Sequence, residues 1–315
     1  METAATTTAD TVLTTGAGLL DRSVRGKLAL RGAGAKAALN GLITNEAETL
    51  TPGSGLYAAV LTPKGKMLGD LRVLDRGEEL LLDMERVALQ PIFDVLRHGL
   101  VGFDAELDKR TLQRGLLSLI GPRSRDVAAA TQLSGAEHAS CGARIAGHDV
   151  VLVATDGGVD VICVTEQLDD VRAALVAAGA VAVGEPDAEV LRIESGRPRF
   201  GVDLDDSVIP QEAGLNDRAV NFTKGCYVGQ ETVARLFYRG KPNRHLRGLR
   251  LSAAVAPGTP LRSGEREVGP LTSVAQSPRQ GTIGLALVRR EVEPGASVAA
   301  GDAGAVAQVV ELPFA

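Results

Sequence analysis

Aromatic residues are scarce in this 315-residue chain: they make up 3% of it, and tryptophan is absent. Proteins that bind single-stranded nucleic acid by base stacking need exposed aromatic rings. The net charge of −5 also gives no overall positive field that would attract DNA or RNA. A nucleic-acid partner is therefore not expected, and the core must be built from Leu, Val, Ile and Ala.

Cysteine and histidine are equally sparse and show no metal-binding pattern. The three cysteines are odd in number, lie far apart and form no C-x-x-C motif, which disfavours a structural zinc site, a self-ligated cluster or a disulfide framework. Such cysteine usage fits a reducing cytoplasm. No metal ion is expected. The residues concerned are Cys141, Cys163, Cys226, His98, His138, His148 and His245.

Long apolar runs are missing as well, so no membrane-spanning helix and no membrane partner are expected. The first ten residues are rich in Thr and Ala and contain no Lys or Arg. They lack the basic start and apolar run of a signal peptide and the Arg-rich pattern of a transit peptide. We expect a short disordered tail here and a cytoplasmic protein.

Two stretches of the chain show the same hairpin-then-helix order. The first has apolar runs at 57–61, 67–74 and 80–82 and a helical pattern at 85–98, in which Pro91 either starts or kinks the helix. The second has strands at 149–155 and 159–164 around an Asp-Gly-Gly turn, then a helix that Thr165 could cap and Gly179 could end. The repetition predicts two α+β subdomains of similar build.

The pattern changes after residue 241. Short apolar runs separated by Pro-Gly and Ser-Gly turns are typical of a small antiparallel barrel. They lie at 246–251, 259–261, 267–275, 281–288 and 306–311. We therefore predict a region 1–240 that contains the two subdomains and a β-barrel domain at 241–315.

The segment 224–231, Lys-Gly-Cys-Tyr-Val-Gly-Gln-Glu, is the densest group of residues that could carry chemistry. Its glycines allow close backbone approach, and Lys224 is near enough in sequence to favour a reactive thiolate at Cys226. Gln230 and Glu231 could hydrogen-bond a heterocycle or open a following helix. Free cysteines are often simply buried, however, and the residue types alone favour that alternative, with the glycines marking a turn.

This segment resembles the Lys-Gly-Cys-Tyr-x-Gly-Gln-Glu signature of the YgfZ family, which includes a mitochondrial iron–sulfur assembly factor. Flanking blocks resemble those that this family shares with the T-protein of the glycine cleavage system. The resemblance covers nearly the whole chain but is looser at 104–188 and in the barrel. The flanking blocks lie at 42–45, 61–70, 191–203 and 209–222.

The resemblance implies a GcvT-like three-part ring, in which two α+β subdomains are followed by the barrel, with a folate-sized central cavity. Glu194 matches the glutamate that pairs with the pteridine, since a carboxylate accepts two parallel N–H bonds; by residue type alone it would be a surface or helix-start acid. Asp70 matches an acid that helps activate the folate nitrogen, and could equally be a turn residue. T-proteins usually have paired acids where this chain has Gly69-Asp70.

Basic residues crowd the stretch after the signature, and such a run is usually a solvated face. A basic rim could also hold the glutamate tail of folate, and Arg235 is the best candidate because it lies closest to the signature. We assign Cys226, Lys224 and Asp70 to chemistry. The residues assigned to cofactor binding are Glu194, Arg235, Tyr227, Gln230, Glu231 and Asn45.

The resemblance thus implies a protein that binds tetrahydrofolate, or another reduced folate, and supports assembly or repair of iron–sulfur clusters in client enzymes. The expected partners are the folate and iron–sulfur client or assembly proteins, and family relatives suggest a monomer. The cysteine signature favours this function over a true T-protein. Two alternatives stay open: an aminomethyltransferase that acts with a lipoylated carrier, and a folate-binding module without chemistry.

Overall fold

A computed structural model describes residues 2–302 and 304–314. The chain crosses several times between two units, each with its own internal contacts. The first unit consists of Met1–Leu61, Leu68–Glu185 and Arg218–Val228. The second unit consists of Thr62–Met67, Pro186–Asp217 and Gly229–Ala315.

The first unit is built on two β-sheets. Its strands are β1 (Gly18–Asp21), β2 (Gly26–Arg31), β3 (Gly55–Leu61), β4 (Met67–Asp75), β5 (Leu80–Met84), β6 (Glu106–Lys109), β7 (Arg114–Ile120), β8 (Ser140–Ile145), β9 (His148–Ala154), β10 (Gly158–Val164) and β11 (Val181–Ala182). One sheet has the order β3-β4-β5-β2-β6 and the other β11-β1-β7-β10-β9-β8. Both predicted hairpins are confirmed, as β3 to β5 and as β9 with β10.

The helices include one after each of the two predicted hairpins, as the apolar spacing predicts. They are α1 (Glu2–Thr15), α2 (Ala35–Asn40), α3 (Leu89–Gly99), α4 (Ser124–Val127), α5 (Leu168–Ala177), α6 (Glu185–Glu194), α7 (Asn216–Ala219) and α8 (Gln230–Arg239). Pro91 is the third residue of α3, within the first turn, where a missing N–H breaks no helical hydrogen bond. Leu89, Ile92 and Leu96 of α3 are buried, which confirms the predicted stripe.

Two local predictions are wrong. The stretch predicted to be a disordered tail is helical from Glu2 onwards, because alanine favours helix and α1 continues to a buried Leu13; Met1 lies outside the described residues. Thr165 does not cap α5: it lies in a short 3₁₀ turn, and its hydroxyl donates to the carbonyl oxygen of Leu112 at 2.7 Å. Gly179, with φ of 104°, follows the end of α5 as predicted.

The two sheets of the first unit pack through apolar side chains and one buried charge network. Leu74 and Leu81 of one sheet cluster with Leu116, Val153 and Ile162 of the other.

In the network, Arg72 bridges Asp83 at 2.6 Å and Asp160 at 2.7 Å, and Arg25 also pairs with Asp83 at 3.0 Å. Burial alone would raise the pKa of Asp83, but the two guanidinium groups outweigh it and hold this pKa far below its ordinary value.

The second unit contains a closed antiparallel barrel with the order β12-β15-β14-β13-β16-β17. Its strands are β12 (Arg244–Leu251), β13 (Pro260–Ser263), β14 (Arg266–Ser277), β15 (Gly281–Arg289), β16 (Ser297–Ala300) and β17 (Ala305–Val310). The predicted barrel is confirmed, and β16 is the strand that the sequence did not indicate. Its alternation is carried by Val298 and Ala300, whose small side chains give a weak signal. The predicted domain boundary between residues 240 and 241 stays a prediction.

None of the helices described above is both long and apolar enough to cross a membrane.

Candidate functional site

Lys224 anchors the signature segment within the first unit. Its Nζ donates to the carbonyl oxygens of Asn40 at 2.7 Å, Ile43 at 2.9 Å and Asn45 at 2.6 Å. An ammonium group has three protons, so all its donors are used on the backbone of the last residue of α2 and of the segment that follows this helix. Burial lowers the pKa of Lys224 to about 8, while nearby carboxylates act in the opposite direction. The side chain therefore holds the loop, and its influence on the Cys226 thiol stays a prediction.

Cys226 lies exposed on the anchored loop. The alternative in which it is a buried small hydrophobic residue is therefore wrong. Cys163, by contrast, is buried in the core, where burial raises the pKa of its thiol. Cys141 is half-buried, so Cys226 is the most accessible of the three cysteines to a solvent-borne reactant or a partner protein.

Tyr227 and Asn45 belong to the same anchor. Tyr227 is buried, the Lys224 Nζ lies 5.2 Å from its ring centroid, and burial raises the pKa of its phenol to about 12. The Asn45 side-chain amide donates to the carbonyl oxygen of Tyr57 at 2.9 Å. Lys224, Tyr227 and Asn45 thus come together around the loop, and their roles in cofactor binding or chemistry stay predictions.

The second half of the signature opens α8 in the second unit. Gly229 adopts φ of 83°, a left-handed conformation that favours glycine, and Gln230 is the first helical residue. Glu231 is exposed in the first turn, where a carboxylate interacts favourably with the helix dipole. Arg235 is exposed one turn further along. The structure places these side chains on one helix, and their binding role stays a prediction.

Asp70 lies inside β4, so the interpretation of this residue as part of a turn is wrong. Its carboxylate is buried and accepts a hydrogen bond from the Tyr57 hydroxyl at 2.6 Å. Burial raises the pKa of Asp70 from 3.8 to about 6, although the Tyr57 hydrogen bond and Arg25 act to lower it. A carboxyl with such a pKa can exchange a proton near neutral pH.

Gly69 leaves no room for a second acid beside Asp70. A Cβ at this position would lie 2.7 Å from the Cβ of Ala88 and 2.9 Å from the Cδ1 of Ile92. Real Cβ atoms do not approach so closely, and the contacts are with packed side chains at the start of α3. Any side chain at residue 69, an acid included, would therefore require Ala88 and Ile92 to shift.

Sequence reasoning missed the groups that surround the Tyr57–Asp70 pair. The Arg218 guanidinium carbon lies 5.1 Å from the Tyr57 ring centroid, and its Nη2 pairs with Glu137 at 3.1 Å. The His138 ring centroid is 6.3 Å from that of Tyr57. The available signal was Tyr57 itself, one of three tyrosines in the chain, on the strand next to Asp70.

Glu194 ends α6 and is buried within the second unit, so it is neither a surface residue nor a helix-start acid. One carboxylate oxygen accepts a hydrogen bond from the Ser277 hydroxyl, and the other pairs with Arg279. Negative charge at a helix C-terminus is unfavourable, and these two donors compensate for it. The carboxylate borders a cavity of about 280 Å³, lined by Leu191, Glu194, Ser195, Arg279, Gln280, Pro313 and Phe314.

Other charged residues of the block 191–203 stabilise the second unit. Arg192 pairs with Asp203 at 2.7 Å, and the other oxygen of Asp203 accepts hydrogen bonds from Thr272 at 2.5 Å and Ser273 at 2.6 Å. These contacts fasten the chain after α6 to β14. In this block, Glu194 is the acid that faces a cavity.

Two family models together match most of the chain. The GCVT N-terminal domain matches residues 3–224, and the glycine cleavage T-protein C-terminal barrel domain matches residues 244–315. The second match coincides with the closed barrel of β12 to β17.

Known proteins agree with these matches. An aminomethyltransferase of Rubrobacter xylanophilus is 30% identical over 95% of this chain and 83% of its own length. An aminomethyltransferase of Geobacillus kaustophilus is 30% identical over 88% of this chain and 80% of its own length. The crystal structure of aminomethyltransferase T of the glycine cleavage system from Bartonella henselae has a TM-score of 0.88 at 22% identity, over 98% of this chain and 89% of that one. The fold is GcvT-like, as expected, and the chain belongs to the glycine cleavage T-protein family.

Proposed function

We propose that this protein binds tetrahydrofolate and supports the assembly or repair of iron–sulfur clusters in client enzymes, with Cys226 as the functional thiol. The observation that carries the folate part is the buried Glu194 carboxylate at a cavity of about 280 Å³. The iron–sulfur part rests on the YgfZ-like signature and on the exposure of its cysteine.

The residues at this cavity fit a pteridine. The aminopyrimidine edge of a pteridine presents parallel N–H donors, which a carboxylate accepts as a bidentate pair. Glu194 accepts hydrogen bonds from a planar guanidinium and a hydroxyl, so its oxygens accept donors of this kind. Phe314 lines the same cavity and offers an aromatic surface to a ring. Glu194 would orient the ring, and bound tetrahydrofolate would supply a carrier for one-carbon groups.

Cys226 suits a role with a partner protein or a cluster. A reactive cysteine must be accessible and able to form a thiolate, and Cys226 is exposed. The three hydrogen bonds of Lys224 hold the loop that presents it. A thiol on a fixed loop is presented in one geometry, which suits transfer to or from a docked client better than a thiol on a loose chain would.

Aminomethyl transfer is the second candidate, because relatives at 30% identity are named aminomethyltransferases. Asp70 supports it, since a buried carboxyl with a pKa of about 6 is mostly ionised at neutral pH and can take up a proton from a reacting amine. Gly69 argues against it, because the paired acids usual in T-proteins do not fit here. A folate-binding module without chemistry is the third candidate.

Calorimetric titration with tetrahydrofolate tests the folate part. Glu194→Gln keeps the shape of the side chain but removes the charge, and we expect binding to be weaker by at least about tenfold, since hydrogen bonds to charged groups contribute roughly 1.5–3 kcal/mol. Glu265→Gln makes the same charge change at an exposed position of the barrel and serves as the control. Equal affinities for the wild type and both variants would exclude Glu194 as the recognition residue.

Cellular assays test the cysteine part. Cys226→Ser in place of the wild-type protein should lower the activities of iron–sulfur enzymes, whereas Cys163→Ser, at a buried position, should lower them only as far as it lowers the amount of folded protein. Full client activity with Cys226→Ser would refute the proposed role. Aminomethyl transfer, the second candidate, is tested by incubating the purified protein with tetrahydrofolate and an aminomethylated lipoyl carrier. Only an aminomethyltransferase forms methylene-tetrahydrofolate in this mixture.

A further inference from the structure

Both oxygens of the Glu194 carboxylate are engaged by one turn of the barrel. The Ser277 hydroxyl donates to one oxygen, and Arg279 Nη2 pairs with the other. The Ser277 oxygen itself accepts hydrogen bonds from the backbone N–H groups of Arg279 at 3.1 Å and Gln280 at 2.9 Å. The turn between β14 and β15 therefore places both donors against the end of α6.

These two donors differ in how firmly they are held. Ser277 is buried, and its short side chain is fixed by the turn that it caps. The Arg279 side chain is 51% exposed and has long rotatable bonds, so it can leave Glu194 without disturbing the backbone. Glu194 thus has one permanent donor and one exchangeable donor.

The exchangeable donor has the same chemistry as the ligand proposed above. A guanidinium and a 2-aminopyrimidine edge are both planar and both present neighbouring N–H groups to a carboxylate. We infer that Arg279 acts as an internal competitor of the ligand for Glu194, so that the N–H donors of the ligand must displace it from the oxygen that Ser277 does not engage. This inference rests on the proposed function, because it assumes that Glu194 receives the pteridine of a reduced folate.

The competition predicts an unusual effect of removing a positive charge. Folate is an anion, and loss of an arginine would ordinarily weaken its binding. Here, Arg279→Ala frees an oxygen of Glu194, and the dissociation constant should fall by about two- to fivefold, which corresponds to the stabilisation typical of exposed ion pairs. Because salt screens such a pair, the advantage should shrink as ionic strength rises.

Calorimetric titration of tetrahydrofolate into the wild type, Arg279→Ala and Arg262→Ala at low and high ionic strength tests this inference. Arg262 is a matched control, because it forms an exposed ion pair with Asp302 elsewhere on the barrel. We expect Arg279→Ala, but not Arg262→Ala, to bind tetrahydrofolate more tightly than the wild type at low ionic strength. At high ionic strength we expect this difference to disappear. Added methylguanidine should weaken binding to Arg279→Ala more than binding to the wild type, since it refills the vacated position.

The outcomes separate this inference from the proposed function. If the wild type binds tetrahydrofolate, Glu194→Gln weakens binding, and a stably folded Arg279→Ala binds equally or more weakly, then internal competition is refuted and the folate site stands. If neither the wild type nor Arg279→Ala binds tetrahydrofolate, the proposed function fails and this inference fails with it. Melting temperatures of all variants establish that each one is folded.

Discussion

Asp70 gives the sharpest prediction, because its burial works against the stability of the protein at neutral pH. The pKa of this carboxyl is 3.8 in an exposed chain and about 6 in the fold. Between these values, the folded protein binds a proton that the unfolded chain has already released. Stability should therefore fall as the pH rises through this window, opposite to the behaviour of a carboxylate with a lowered pKa.

The magnitude follows from the same values. One pKa unit corresponds to 1.36 kcal/mol, so the change from 3.8 to about 6 costs the folded state about 3 kcal/mol once the group is ionised. Asp70→Asn removes this charge and keeps an oxygen that can accept the Tyr57 hydroxyl. We expect Asp70→Asn to be more stable than the wild type by about 1–3 kcal/mol at pH 7, with little difference near pH 4.

Urea unfolding of both proteins at several pH values between 4 and 7.5 measures this effect. The difference between them cancels the contributions of the other carboxyls, which both proteins share. Glu78→Gln, at an exposed turn between β4 and β5, is the control and should change stability little at any pH. A stability difference between Asp70→Asn and the wild type that does not vary with pH would refute the burial argument.

Three further changes test neighbouring parts of the first unit. Tyr57→Phe removes a hydrogen bond that lowers the pKa of Asp70, so carbon NMR of labelled Asp side chains should find this pKa above about 6; an unchanged value would contradict the assignment. Lys224→Met should lower the free energy of unfolding by about 3 kcal/mol, since buried carbonyls lose a charged donor, whereas Lys64→Met, at an exposed position, should not. Equal urea midpoints for Lys224→Met and the wild type would show that Lys224 does not anchor the loop. Gly69→Asp should lower the free energy of unfolding by at least about 2 kcal/mol through overpacking. A urea midpoint of this variant equal to that of the wild type would show that a second acid fits.

The sequence predicts the parts of the fold that local patterns specify. Apolar runs that alternate with Pro-x-Gly and Arg-Gly turns indicate β3, β4 and β5, and apolar residues that recur at helical spacing indicate α3. β16 was not recognised, because alternation between small residues leaves little contrast in hydrophobicity. The helix α1 was missed for a related reason, since a Thr- and Ala-rich stretch shows no apolar stripe until Leu13.

The candidate site was only half predictable, because its decisive contacts join distant parts of the chain. Glu194 was proposed from a resemblance, but its partners Ser277 and Arg279 are 83 and 85 residues away in sequence. Lys224 was proposed as an activator of the nearby thiol, and its hydrogen bonds reach carbonyls 179 to 184 residues away. Proximity in sequence does not indicate these carbonyl partners, because a long flexible side chain can reach buried acceptors that only folding brings near it.

These contacts change what a match to the signature means. Lys224 and Tyr227 are buried and build the loop, and Gly229 supplies the left-handed residue that begins α8. A chain could keep all three for the sake of loop geometry alone. Within 224–228, Cys226 is an exposed residue whose side chain is a thiol, so the proposal of chemistry at this loop depends on that thiol. A Cys226→Ser protein that keeps its stability and its folate affinity but loses client activity would separate the function of the loop from its structure.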